Sequence, residues 1–171
     1  MIRIRHLYSL LLMIFAFSGC TSSTTGEFSI RLLALDIPPA EMSKVDLDSL
    51  RLQEQPIISI DDIMAYSKET HEIELTAPAY ERIQQLFSLP VDVDGIPFVV
   101  CVGRDPVYAG AFWTPASSLS FDGVVIMQPF EANKHTIRIT LAYPTPEAFS
   151  GTDPRSNPKV LQALELAGKL K

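Results

Sequence analysis

The chain has 171 residues, is 47% hydrophobic and 20% charged, and carries a formal net charge of −6. That apolar content excludes a disordered chain, and the length suits one domain. The acidic balance argues against a nucleic-acid binder, which needs a basic face. Two cysteines exclude a disulfide-dense scaffold and a multi-thiolate zinc site, and thirteen prolines exclude a long helical bundle.

Residues 1–20 read MIRIRHLYSLLLMIFAFSGC. Arg3 and Arg5 form a positive start, Leu7 to Phe17 is apolar, and small residues follow, which are the parts of a bacterial export signal. The apolar run is shorter than the ~20 residues of a membrane span. The ending Phe17-Ser18-Gly19-Cys20 resembles the lipobox of bacterial lipoproteins, with Phe17 where leucine is usual. The resemblance implies removal of residues 1–19 and lipidation of Cys20. Several acyl chains would hold the protein to a membrane stably, whereas one binds only marginally. The alternative is ordinary cleavage after Ser18, which leaves Cys20 a thiol able to pair with Cys101. Thr21 is not the aspartate that retains many lipoproteins at the inner membrane, so the periplasmic face of the outer membrane is favoured. Residues 21–27 then form a tether reaching at most ~25 Å. Without residues 1–19 the chain holds 12 basic against 20 acidic side chains.

Residues 28–171 are expected to form one α+β domain, a mostly antiparallel sheet with two or three helices packed on one face. Phe28–Leu35 alternates as a strand until Pro38-Pro39. Residues 40–55 are weakly patterned. Ser59 followed by Asp61 and Asp62 predicts a capped short helix through Tyr66, with Ile60, Ile63 and Met64 inward. His71–Thr76 alternates as a strand. Thr76 then caps a helix over 77–87, with Tyr80, Ile83 and Phe87 on its buried face. Two β-rich runs, Pro97–Val102 and Pro106–Trp113, flank Gly103-Arg104-Asp105 as a hairpin. Phe121–Gln128 and Thr136–Tyr143 add two strands. Asn157-Pro158 starts a closing helix bearing Val160, Leu161, Leu164 and Ala167.

Within this order, Ile73–Leu86 (IELTAPAYERIQQL) and Gly95–Ala111 (GIPFVVCVGRDPVYAGA) resemble the strand-to-helix element and glycine-led hairpin of the SecD periplasmic head subdomain. The likeness covers about residues 56–128. It implies a fold and an envelope setting, carries no catalytic residues, and lacks SecD's membrane-spanning part.

No motif assembles a chemistry. His71 and His135 have no second ligand at metal spacing and read as solvated loop residues. Ser117, Ser118 and Ser120 lack a nucleophile elbow. Asp61-Asp62 suits a helix start. Asp92 and Asp94 form a second acidic pair, but a calcium loop from Asp92 would need an acid at Gly103. Cys101 reads as a buried inert thiol. The most unusual stretch is Tyr108–Phe121 (YAGAFWTPASSLSF), with the only tryptophan among aromatics and hydroxyls. Tyr108, Phe112, Trp113, Thr114, Ser117 and Ser118 are the candidate contact residues, set against a reading of the aromatics as core.

The resulting expectation is a lipid-anchored envelope protein with no cofactor or metal, acting as a binding or assembly module for another protein. An envelope hydrolase of cell-wall or carbohydrate material is the alternative, and an inhibitor-like lipoprotein the third reading.

Overall fold

The computed structural model describes residues 26–130 and 134–171. The export signal, Cys20 and tether residues 21–25 lie outside the described residues. Eight strands form one mixed sheet: β1 (Phe28–Leu32), β2 (Ile58–Ser59), β3 (Ile63–Tyr66), β4 (Glu72–Leu75), β5 (Ile96–Val102), β6 (Asp105–Trp113), β7 (Phe121–Met127) and β8 (Thr136–Tyr143). Their order is β2-β1-β5-β6-β7-β8-β4-β3. Every neighbouring pair is antiparallel except β6 and β7, where Gly110 faces Val124 and Trp113 faces Met127. The two helices are α1 (Ala77–Gln85) and α2 (Pro158–Leu166).

Strand alternation sorts the core. In β5, Phe98 and Val100 join a large cluster with Phe28, Ile30, Phe112, Ile126 and Ile139, while Val99 and Cys101 join a smaller one with Leu33 and Met42. The large cluster also takes Tyr80 and Ile83 of α1 and Val160 and Leu164 of α2. Each such fully buried side chain stabilises by about 1.5–3 kcal/mol. Residues 33–52 run past the other side of β5, placing Met42 against Val99 and Cys101. The chain returns antiparallel to β1, with Leu33 bridged to Leu52 and the Arg31 guanidinium donating to the Gln53 and Glu54 carbonyls at 3.0 and 2.5 Å.

Two expectations are corrected. Residues 60–66 form a single 3-10 turn, Ile60–Asp62, and then strand β3. Period two therefore governs, so Ile63 is buried while Met64 is 61% exposed. The turn keeps the foreseen cap: the Ser59 amide and hydroxyl both donate to the Asp62 carboxylate at 2.8 Å, and Arg82 of α1 pairs with it at 2.7 Å. Burial opposes ionisation of Asp62, but these donors together hold its carboxyl below the usual range. Second, Thr76 makes no side-chain cap; its carbonyl accepts from Tyr80, and Pro in the first turn starts α1. The one parallel pair, β6 with β7, fits a mostly antiparallel sheet; residues 114–120 return along the sheet without a helix. By contrast, Asn157 caps α2 as foreseen, accepting from the Lys159 amide at 2.9 Å.

Candidate functional site

Three clefts adjoin along the chain after β1. The central one, about 420 Å³, has Asp36, Pro38 and Pro39 on one wall, Asp92, Asp94 and Gly95 on a second, and Trp113 and Leu119 on the third. A cleft of about 260 Å³ continues it past Leu35 and shares Asp36, Asp92 and Gly95. One of about 290 Å³ continues it toward Met42 and Asp122 and shares Pro39, Ala40 and Phe121. Together they make an open groove between residues 33–47 and the sheet end.

Local sequence builds each wall. Pro38, at φ −60° and ψ 142°, keeps the first wall extended. The Asp92 carboxylate accepts from the Asp94 amide at 2.9 Å, making a side-chain turn. Gly95 follows with φ +85°, and a Cβ there would lie 2.5 Å from Trp113 Cε3. Only glycine lets the loop close onto the indole.

The six candidate contact residues do not make one surface. Tyr108 and Phe112 turn into the large cluster, whereas Trp113 turns to the opposite side of β6. Trp113 is 2% exposed, stacked on Phe121 at 5.3 Å and tilted against Tyr143 at 6.0 Å. Its Nε1–H has no acceptor among the described residues. Thr114 is buried and donates to Gln128 Oε1 at 2.8 Å, and Ser117 is buried with its hydroxyl accepting from the Leu119 amide at 3.2 Å. Ser118 is exposed, as are Pro115, Ala116, Leu119 and Ser120. The hydroxyls of Thr114 and Ser117 thus hold the crossover in shape. Among the described residues neither His71 nor His135 lines this groove, so no serine–histidine pair is placed in it there.

Sequence reasoning missed a second constellation. His71 was expected in solvent but is 8% exposed, in the left-handed region at φ 54°. Its Nδ1 lies 3.0 Å from the Tyr66 hydroxyl. Tyr108 has a buried hydroxyl with no partner among the described residues, and burial pushes it well above the usual phenol range, with Tyr66 adding to the rise. Arg155 pairs with Asp153 at 2.7 Å and donates to the Ile139 carbonyl at 3.1 Å. Burial pushes Tyr66 up to about 12. Burial pushes His71 below its usual 6.5, Arg155 adds to the depression, and Asp153 opposes it. These residues lie far apart in the chain, so no local spacing could have shown them. His135 is exposed, its ring 5.3 Å from that of Tyr80.

A pH dependence follows. The unfolded imidazole takes up a proton before the folded one, so stability is full above about pH 7 and falls as pH drops through 6.5 toward the folded value. Carboxyls held low, such as Asp62 and Asp153, lose their contribution only further down, around the ~4 of free carboxyls. Urea midpoints are expected to decline as pH falls below about 6.5. The decline disappears in His71→Phe if His71 is its source.

Among the described residues no group of three or more His, Cys, Asp or Glu side chains is placed to hold a metal, and no helix is long and apolar enough to cross a membrane. Comparison with protein-family models, with curated proteins and with solved structures gives no match.

Proposed function

We propose that this chain is a lipid-anchored bacterial envelope protein, held through Cys20 at the periplasmic face of the outer membrane, whose folded part binds another protein in the groove beside Trp113. One observation carries the reading. Residues 26–27 enter at the β5–β6 turn, where the Gly103 amide donates to the Glu27 carbonyl at 2.8 Å. Gly95 and Trp113 sit at the other end of the same hairpin, where Ile96 faces Phe112. The seven residues of β5 span about 20 Å. A chain tethered at residue 20 therefore carries its groove on the end remote from the anchor. Both helices, which share the large cluster, are read as lying on the sheet face away from Trp113. The SecD likeness over residues 56–128 adds an envelope setting.

The experiment is photo-crosslinking in intact cells. A crosslinking residue at Leu119, 49% exposed at the groove, is expected to capture a discrete protein adduct. The same residue at Leu166 on α2, 62% exposed, is expected to capture none. No adduct at position 119, or identical adducts at both positions, would contradict the proposal.

A further inference from the structure

We infer that the groove takes a basic, extended polypeptide segment, one in which lysine or arginine side chains accompany apolar ones; this rests on the groove's being the capture site. Its walls present Asp36, Asp92, Asp94 and Asp122, and no lysine or arginine lines any of the three clefts. Four carboxylates without a cation attract a positive occupant and repel anionic lipid headgroups or nucleic acid. The lining is also apolar: Leu35 is 48% exposed and Leu119 49%. A lipid-free amine would satisfy the acids but leave these two in water.

The shape favours a strand over a compact molecule. The three clefts follow one another through shared residues, so the groove is elongated. An extended chain turns alternate side chains to opposite sides, which lets ammonium groups meet the acids while apolar residues meet Leu35, Leu119 and the Pro38-Pro39 wall.

The test is fluorescence anisotropy with the full mature chain in zwitterionic nanodiscs. The probe is a short labelled peptide in which lysine alternates with valine and leucine, compared with one bearing glutamate for lysine. Asp36→Asn/Asp92→Asn/Asp94→Asn keeps a side-chain oxygen for the 92–94 turn and is expected to weaken lysine-peptide binding about tenfold. Asp61→Asn/Glu81→Gln/Glu165→Gln removes the same charge from exposed positions outside the groove and is expected to leave affinity within roughly twofold. Equal losses in both triples, equal binding of the glutamate peptide, or self-association of the chain through the groove would overturn the inference. A lysine peptide that fails to bind while Leu119 still crosslinks a protein overturns the basic segment alone. Loss of every Leu119 adduct overturns the capture site itself.

Discussion

Trp113→Ala is expected to lower the unfolding free energy by about 3–5 kcal/mol, measured by urea unfolding without any partner. The indole is 2% exposed and fills the space between Gly95, Phe121 and Tyr143, so truncation leaves a cavity rather than a smoother surface. Gly95→Ala is expected to cost at least ~2 kcal/mol, because alanine disfavours φ +85° and its methyl would collide with the ring. The two losses should not add. With the indole gone the collision disappears, so the double variant should be more stable than the sum of the single losses predicts. Strict additivity would mean that the loop does not rest on the tryptophan. Capture experiments with Trp113→Ala would therefore report stability, and Leu119 or the groove acids are the positions that report binding.

Cys20→Ser is expected to move the protein from the membrane to the soluble fraction, the largest change in distribution any single substitution should produce. Each buried methylene of an acyl chain contributes ~0.8 kcal/mol to membrane binding, and serine cannot carry the thioether-linked lipid. Fractionation of cells expressing the variant checks this. Retention of Cys20→Ser in the membrane at the level of the natural chain would assign the attachment to something else. The fold should be unaffected: the only described cysteine, Cys101, is buried and unpaired, packed with Leu33, Met42 and Val99.

The legible parts of the fold were those where local pattern and tertiary packing agree. Alternation in Phe98–Val102 separates the two faces of β5 correctly, and Asn157-Pro158 announces α2 because the cap and the first-turn proline act locally. Ile60, Ile63 and Met64 fit a helical spacing over too few residues to decide between a helix and a turn followed by a strand. Pairing of Ile63 with Leu75 and Tyr66 with Ile73 decided it. The parallel step from β6 to β7 leaves no periodic trace in residues 114–120. The candidate site was half visible for the same reason. Trp113 stood out in the sequence, Asp92 and Asp94 read there only as an acidic pair without a ligand, and alternation turns Tyr108 and Phe112 to the other face. Asp36 joins the groove only because the chain after β1 passes in front of Gly95.

Mass spectrometry of the N-terminal peptide, from protein isolated with the cell envelope, tests the anchored-module account most directly. The account predicts a peptide that begins at residue 20 and is heavier than its amino acids by the mass of a glycerol-linked lipid. An N-terminus that keeps Met1, or a residue 20 with no added mass, would contradict it.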